Sequence, residues 1–265
     1  MTRVLITGSA DGLGLMAARL LAGEGHAVTL HARSEARVAE ARAALPAAEH
    51  TVVGDLSSIE GARQVAGQAN ALGRYDAVIH NAGVGPREPR RIETADGLSH
   101  VFAINVLAPY LLTALITPPD RLVYLSSGTH RGGQPDFADL QWSHRAWASS
   151  QAYADSKLLD VVLCFAVARL WPDVLSNAVE PGWVPTRMGG PGAPDDISLA
   201  PVTQAWLATS DDPAAMVSGL YFYHQRLRET HPATRSHAVQ GQLLAACAEL
   251  TGVDLPGLSP GNAAG

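Results

Sequence analysis

The chain has 265 residues, 47% hydrophobic and 17% charged, which is enough apolar material to bury a substantial core in one three-layer domain. The formal net charge of −6 argues against a nucleic-acid partner, and Cys164 and Cys247 lack the spacing of a metal or redox site. There is no secretory signal pattern and no apolar run long enough to span a bilayer. We therefore expect a cytoplasmic protein with no membrane partner and no metal.

A glycine-rich turn follows the first predicted strand, residues 4–6, and leads into a helical pattern that begins near Leu15. Glycines let the backbone turn sharply and approach a pyrophosphate, whose charge is met by the free N–H groups of a helix N-terminus. The spacing Gly12-x-Gly14-x-x-Ala17 fits the general dinucleotide pattern, and Gly8 is the better candidate for the turn itself. Asp11 is predicted to cap the helix.

The second predicted strand, residues 26–31, ends close to Arg33. At this place an NAD-binding unit has an acid for the adenosine ribose, whereas a guanidinium suits the 2'-phosphate of NADP. Arg33 therefore favours NADP(H), and Glu35 keeps NAD(H) open as the alternative. After the third strand, residues 51–53, Asp55 either accepts a hydrogen bond from the adenine amino group or caps the next helix.

Further strands are predicted at residues 75–80, 121–125 and 174–179, with helical patterns between them. This alternation predicts an α/β fold, a single-domain Rossmann-type doubly wound parallel sheet with helices on both faces. Ligands bind at the carboxyl ends of such strands, so the residues that follow each strand are site candidates. They include Asn81, Ala82 and Gly83, then Ser126 and Ser127, then Pro181 and Gly182.

Polar residues also occur inside two helical patterns. Asn105 lies in an apolar run, where a buried amide needs partners that a local bend with a bound water can supply. Tyr153 and Lys157 are four residues apart and share one helix face, so the ammonium lies beside the phenol and favours its ionised form. Such a tyrosine can exchange a proton near neutral pH, although the pair alone is also common on helix surfaces.

Taken together, these motifs resemble the short-chain dehydrogenase/reductase family over about residues 2–223. The local sequence around Ser127 and Tyr153 looks most like the retinol dehydrogenase-like and carbonyl reductase branches, and Ala10 stands where many members carry Asn. The matching motifs are Thr7-Gly8-x-x-x-Gly12-x-Gly14, Asn81-Ala82-Gly83, Asn105, Ser127, Tyr153-x-x-x-Lys157 and Pro181-Gly182.

The resemblance implies an NADP-dependent oxidoreductase that transfers a hydride between nicotinamide and a carbonyl or alcohol. Tyr153 is then the general acid in reduction and the base in oxidation, with Lys157 favouring its phenolate and binding the nicotinamide ribose. Ser127 orients the substrate oxygen, and Asn105 holds a water that links Lys157 to solvent. The implied cofactor-binding residues are Gly8, Ser9, Asp11, Gly12, Leu13, Gly14, Arg33, Asp55, Leu56, Asn81, Ala82, Gly83, Tyr153, Lys157, Pro181, Gly182, Val184 and Thr186.

Other functions on the same fold stay open. A catalytically idle NADP(H) sensor would keep the glycine turn yet have no need of Ser127, Tyr153 and Lys157 together. An NAD-dependent alcohol dehydrogenase is a second alternative, and an epimerase or dehydratase usually has a longer C-terminal domain. The substrate is expected to be small and apolar or aromatic, because four large side chains lie on segments that can approach the site: Trp142, Trp147, Trp183 and Met188.

Residues 1–255 are predicted to form one catalytic domain, with 186–255 as a substrate-lid region and 256–265 as a disordered tail. Many family members dimerise through the helix that follows the active-site tyrosine. Residues 136–147 carry apolar side chains just upstream, where resembling carbonyl reductases have a covering helix. We therefore expect a monomer over a homodimer, the alternative being that this segment forms a rim of the substrate pocket.

Overall fold

A computed structural model describes residues 1–257 of the chain. Eight strands form one sheet in the order β3-β2-β1-β4-β5-β6-β7-β8, all parallel except β8, which is antiparallel to β7. The predicted tail falls outside the described residues from 258 onward. The strands are β1 (Arg3–Ile6), β2 (Ala27–Ala32), β3 (His50–Val53), β4 (Ala77–His80), β5 (Arg121–Leu125), β6 (Leu175–Glu180), β7 (Tyr221–Tyr223) and β8 (Arg226–Leu227).

Helices cover both faces of the sheet. Each face has its own cluster of buried aliphatic side chains, which confirms the predicted doubly wound α/β fold. One face carries α1 (Gly12–Gly23), α2 (Glu35–Ala44) and α7 (Val202–Thr209). The other carries α3 (Ile59–Ala71), α4 (His100–Phe102), α5 (Ala108–Leu115) and α6 (Ser149–Leu170), with α8 (His237–Thr251) packed on α6. No helix within residues 1–257 is both long and apolar enough to cross a membrane.

The central strand shows why the apolar runs become buried strands. Val4, Leu5 and Ile6 are all fully buried, although their side chains alternate between the two faces. On one face Ala17 and Ala18 of α1 are also fully buried, and their small side chains let the helix approach the sheet closely. This packing holds the glycine turn at the carboxyl end of β1.

The helical pattern expected around Asn105 is interrupted. Helix α4 begins only at His100, because residues 93–99 form a tight turn in which Gly97 adopts φ +76°. A π-helical turn, Ala103–Leu107, then joins α4 to α5. The predicted bend near Asn105 is therefore present as a π turn, a feature that widens the helix locally.

Helix α6 is enclosed within its own chain, since every residue from Ala152 to Val167 is buried. On one side, residues 133–148 cover it: the Gln134 N–H donates to Asp155 Oδ1 at 2.8 Å and Arg145 Nη2 donates to Asp155 Oδ2 at 3.1 Å. A Cβ added to Gly133 would lie 2.6 Å from the carbonyl oxygen of Ala154, so the two segments touch backbone to backbone.

On another side, α8 packs along the second half of α6. Arg169 Nε donates to Gln240 Oε1 at 2.9 Å, and the Arg235 guanidinium lies 5.1 Å from the centre of the Phe165 ring. Tyr153 lies at the opposite, N-terminal end of α6. The region predicted as a lid, residues 186–255, therefore contains a loop at the carboxyl edge of the sheet, then α7, β7 and β8 of the main fold, and finally α8, which covers α6.

The histidine at the end of β4 is expected to make the protein less stable in mild acid. His80 is 3% exposed, and burial lowers its pKa to about 3, whereas an unfolded chain has a value near ~6.5. Because the unfolded chain binds the proton first as pH falls, acid favours unfolding from about pH 6.5 downward. Protonation of His80 in the unfolded chain should lower the free energy of unfolding by roughly 2 kcal/mol between about pH 7 and pH 5.

Denaturant unfolding of the wild type and His80→Gln at both pH values measures this effect. Glutamine can retain the contact of His80 Nε2 with Thr113 Oγ1, which spans 3.2 Å, but it does not titrate. The loss of stability between the two pH values should be about 2 kcal/mol smaller in the variant. His144→Gln, at an exposed position, is the control and should lose as much stability between the two pH values as the wild type. The same loss in His80→Gln would show that His80 is not the source of the acid sensitivity.

Candidate active site

The glycine turn after β1 packs directly against the segment that follows β4. Gly8 has φ +62°, and a Cβ there would lie 2.8 Å from Ala82 Cα. A Cβ on Gly14 would lie 2.5 Å from both Asn81 Nδ2 and the carbonyl oxygen of Gly8. Side chains are excluded at both positions, so these two glycines are needed for the close approach of the two segments.

Hydrogen bonds hold the two segments together. Asn81 Nδ2 donates to the carbonyl oxygens of Thr7 at 2.8 Å and Gly8 at 3.1 Å. The Thr7 hydroxyl oxygen accepts from the backbone N–H groups of Asn81 and Ala82, each at 2.9 Å. Asn81 thus shapes the turn with its side chain.

His31, at the end of β2, was not among the predicted site residues. Its Nδ1 accepts from the Gly8 N–H at 2.9 Å and its Nε2 donates to the Gly54 carbonyl oxygen at 2.9 Å, so the ring joins two strand ends. Burial lowers the pKa of His31, which keeps Nδ1 available as an acceptor. A polar residue at the end of an otherwise apolar strand was the available signal in the sequence.

The side chains of two predicted residues of the turn have partners within the protein. Ser9 is fully buried, its hydroxyl donating to the Ile6 carbonyl oxygen at 2.8 Å and accepting from the His31 N–H at 2.9 Å, so its side chain faces the protein interior. The prediction that Asp11 caps α1 is wrong, since its side chain makes no capping hydrogen bond. Its carboxylate instead accepts from Arg37 Nη2 at 2.6 Å, a partner 26 residues away.

The uncapped N-terminus of α1 fits an anionic group. Within residues 1–257 no side chain caps this helix, and no acid lies in its first turn. Gly12 has φ +55°, and a Cβ there would meet no atom within 4 Å, so the turn is open on that side. The first N–H groups of a helix lack partners within the helix and carry its positive dipole end. The glycine turn therefore forms a cradle suited to a pyrophosphate.

Arginine side chains gather beside this cradle. Arg33 is exposed and has no hydrogen bond or ion pair within residues 1–257. Arg37 lies four residues further on α2 and pairs with Asp11, and Arg187 approaches Asp11 Oδ2 at 4.0 Å with its side chain 92% exposed. Sequence reasoning missed Arg37 and Arg187.

Asp55 lies exposed at the end of β3, and its Oδ1 accepts from the Ser57 N–H at 2.9 Å. The cap of α3 is Ser58, whose hydroxyl accepts from the Gly61 N–H at 3.0 Å. The alternative that Asp55 caps this helix is therefore wrong. Leu56 belongs to the buried core, so its side chain faces away from solvent.

The two serines that follow β5 differ in what their hydroxyl groups contact. Ser126 is buried, and its hydroxyl donates to the Lys157 carbonyl oxygen at 2.8 Å. Ser127 Oγ accepts from the Thr129 N–H at 3.3 Å and lies 3.1 Å from Thr129 Oγ1, which donates to it. With these acceptor contacts made, the Ser127 hydroxyl proton remains available for a ligand oxygen.

Tyr153 and Lys157 lie on one face of α6, in its first turns, as predicted from their spacing. Tyr153 is 8% exposed. Lys157 Nζ donates to the Leu125 carbonyl oxygen at 2.5 Å, at the end of β5 just before the two serines. A Cβ on Gly83 would lie 3.7 Å from Nζ, an ordinary contact distance, so the ammonium lies next to the segment that follows β4.

Asn105 joins the π turn to its neighbours. Its Oδ1 accepts from the Val84 N–H at 2.8 Å, and its Nδ2 donates to the Val84 carbonyl oxygen at 3.1 Å and to Ser156 Oγ at 2.9 Å. The buried amide thus has protein partners for both its oxygen and its nitrogen. The side chain positions the segment after β4 against α6.

The loop after β6 folds over the carboxyl edge. Gly182 has φ +93°, and Asp195 Oδ2 accepts from the Trp183 N–H at 2.6 Å. Thr186 Oγ1 accepts from the Gly189 N–H at 3.1 Å, and Val184 is buried. A Cβ on Gly85 would lie 2.5 Å from Met188 Cγ, so the loop touches the segment after β4.

The predicted aromatic residues separate into two groups. Trp183 and Met188 of this loop are 59% and 40% exposed. Trp142 and Trp147 instead pack edge to face at 5.6 Å, with the Arg145 guanidinium 3.6 Å from the Trp142 ring centre. The tryptophan pair belongs to the segment that covers α6, so its role is packing there.

Comparison with known proteins agrees with this geometry. The family model described as short chain dehydrogenase matches residues 2–195. An uncharacterised oxidoreductase of Emericella nidulans is 42% identical over 261 residues, covering 97% of this chain and all of that protein. Human retinol dehydrogenase 13 is 30% identical over 290 residues, covering 96% of this chain and 85% of the relative.

Solved structures show the same fold. A protein of Mycobacterium paratuberculosis superposes with a TM-score of 0.82 at 23% identity, over 97% of this chain and 95% of that one. A blue fluorescent protein from a metagenomic library, solved in complex with NADPH, gives a TM-score of 0.67 at 22% identity, over 83% and 95%. The family match, the relatives and the arrangement of the glycine turn, Ser127, Tyr153 and Lys157 establish that this chain belongs to the short-chain dehydrogenase/reductase family of oxidoreductases.

Proposed function

We propose that the protein is an NADP-dependent oxidoreductase that transfers a hydride between nicotinamide and a carbonyl or alcohol substrate. The observation that carries this proposal is the contact of the end of β5 with the Tyr153–Lys157 helix: Lys157 Nζ donates to the Leu125 carbonyl oxygen at 2.5 Å, and Ser126, the residue before Ser127, donates to the Lys157 carbonyl oxygen at 2.8 Å. A sensor that only bound the cofactor would need the cradle, but not two hydroxyl groups and an ammonium at the carboxyl edge of the sheet.

The nicotinamide supplies the hydride donor or acceptor when bound. In reduction, Tyr153 donates its hydroxyl proton to the substrate oxygen as negative charge develops there. Ser127 donates a second hydrogen bond to the same oxygen and so orients the substrate. Lys157 places a positive charge next to Tyr153, and in oxidation this charge favours the phenolate that accepts the proton.

The cofactor preference rests on the arginines beside the cradle. Arg33 is exposed and has no protein partner within residues 1–257, so its fork of donors is available to a 2'-phosphate. Arg37 and Arg187 add positive charge near Asp11. A similar fold was solved with NADPH. Glu35, also exposed, keeps NAD as the second candidate.

We propose a small apolar or aromatic substrate. Trp183 and Met188 expose large apolar surfaces on the loop that folds over the carboxyl edge of the sheet, and such surfaces bind apolar ligands. One relative is a retinol dehydrogenase by name, which fits an apolar alcohol. Residues 186–200 are the part of the chain placed to cover such a ligand.

A panel of aldehydes, ketones and alcohols, offered with NADPH or NADP and followed by nicotinamide absorbance, tests this function. Turnover of at least one apolar carbonyl or alcohol is the expected result. Tight NADP(H) binding, measured by the fluorescence of the reduced cofactor, without turnover across the panel would support the sensor instead.

We further propose that the protein is a monomer, because α6 has no free apolar face on which a second copy could pack. Residues 133–148 and α8 of the same chain cover it, and Ala152 to Val167 are all buried. Light scattering at micromolar concentration should give a mass near 27.8 kDa. A mass near twice this value would show that another surface dimerises.

A further inference from the structure

A buried carboxylate lies directly beside the catalytic lysine and has no place in the scheme above. Asp160 is 1% exposed, and its Oδ2 lies 3.7 Å from Lys157 Nζ. The same oxygen has no hydrogen-bond partner in the described part of the chain. Tyr153, Lys157 and Asp160 are spaced four and three residues apart, so they form one stripe along α6 with the lysine in the middle.

This carboxylate is costly in such a position. Burial disfavours a charge, and an ionised carboxylate without hydrogen bonds is rare in a protein interior. Burial raises the pKa of Asp160 to about 7, and the Lys157 ammonium opposes this rise. The group therefore changes charge within the neutral pH range while in contact with the lysine.

The other titratable groups around Asp160 stay neutral in this range. Burial raises the pKa of Cys164 on α6, of Tyr124 on β5 and of Tyr221 on β7. Burial also lowers the pKa of His80, whose ring stacks on Tyr124 at 4.7 Å. None of these groups supplies a charge that would compensate Asp160.

The other cations on α6 and on the segments packed against it have partners elsewhere within residues 1–257. Lys157 is consequently the ammonium that faces the Asp160 carboxylate, and the two charges form an isolated pair. The other cations are Arg145, paired with Asp155; Arg235, over Phe165; Arg169, bonded to Gln240; and Arg131, near Glu180.

We propose that Asp160 is a positioning residue that acts through Lys157 and sets the pH range in which Tyr153 exchanges its proton. This inference rests on the proposed roles of Tyr153 and Lys157. When ionised, Asp160 attracts the ammonium toward the interior and opposes a second negative charge on Tyr153. When protonated, it leaves the ammonium to Tyr153 and to the ligand side.

The size of the effect follows from the helix geometry. Tyr153 and Asp160 are seven residues apart, which corresponds to about 10 Å along α6 at ~1.5 Å per residue. Two like charges at this separation, in a partly buried site of effective dielectric ~20, interact enough to move a titration by roughly one pH unit. Removing the carboxylate charge should therefore move the Tyr153 titration to lower pH by about that amount.

The first test is the pH profile of kcat/KM for alcohol oxidation in Asp160→Asn. This substitution keeps the shape of the side chain and removes its negative charge. The acid limb should move to lower pH by roughly one unit. Asp173→Asn is the control, since it removes the same charge at an exposed position just past the C-terminus of α6, and its profile should stay in place. An unmoved limb in Asp160→Asn, with an active wild type, overturns the inference and leaves the proposed function intact.

A second readout does not depend on turnover. The phenolate absorbance of each protein, minus that of the same background carrying Tyr153→Phe, follows the ionisation of Tyr153 alone. Its midpoint should fall by roughly one pH unit in Asp160→Asn and in Asp160→Leu, the second of which places no polar group at this buried position. Identical midpoints in the wild type and both variants would refute the role of Asp160, even if no substrate of the enzyme were known.

Discussion

Tyr153→Phe is expected to lower kcat/KM by at least ~3 kcal/mol of transition-state stabilisation, roughly 150-fold, while NADP(H) affinity stays within a few fold. The substitution removes the proton donor and keeps the aromatic ring. Tyr153 is 8% exposed and lies on a helix whose residues 152–167 are all buried, so phenylalanine should occupy the same space. Steady-state kinetics and a fluorescence titration of the reduced cofactor measure the two effects.

Tyr110→Phe provides the control for this substitution. Tyr110 is fully buried on α5, and its hydroxyl donates to the Val253 carbonyl oxygen at 2.7 Å, away from the carboxyl edge. Its loss should lower stability by about 1 kcal/mol and leave kcat/KM unchanged. Turnover near the wild-type rate in Tyr153→Phe would exclude Tyr153 as the proton donor.

Arg33→Ala is expected to weaken NADP(H) binding by about 1.5 to 3 kcal/mol and to leave NAD(H) binding almost unchanged. This range is typical of a charge-assisted hydrogen bond to a phosphate. Arg33 is exposed and unpaired within residues 1–257, so alanine at this position removes no contact that stabilises the fold. The dissociation constants of both reduced cofactors, measured by fluorescence, give the discrimination directly.

Arg42→Ala is the matched control for the cofactor measurement. Arg42 is exposed in the last turn of α2, on the helix that follows Arg33, and its removal subtracts the same net charge. It should change neither affinity appreciably, because a contact to the 2'-phosphate requires proximity. Equal losses for NADPH and NADH in Arg33→Ala would mean that Arg33 supports the loop structure without reading the phosphate.

Features of the site with a local cause could be predicted from the sequence alone. Apolar runs of strand length alternate with helical patterns, and this order determines a doubly wound sheet. The spacing of Tyr153 and Lys157 places them on one helix face whatever the rest of the chain does. The small residues around Gly8 and Gly14 indicate close backbone approach in the same way, because no side chain fits there.

The sequence did not reveal which distant groups meet. Asp11 is a good helix cap by type, yet it pairs with Arg37, because α2 brings a guanidinium within 2.6 Å and an ion pair competes with a cap. β7 is too short to be predicted from its own pattern, and it becomes a strand because β6 offers an unpaired edge. His31 likewise has a role only because β2 ends next to the glycine turn.

Enclosure was also decided by the tertiary structure. The sequence of α6 is apolar enough to predict an interface helix, but its covering by α8 and residues 133–148 depends on contacts far apart in the chain. The same enclosure determines the environment of Asp160. On an exposed helix, an aspartate three residues after Lys157 would be a hydrated surface acid. Because α6 is covered by other segments, Asp160 is instead a buried carboxylate 3.7 Å from the Lys157 ammonium. The spacing was determined by the sequence, whereas the exclusion of water that makes this charge matter was determined by the fold.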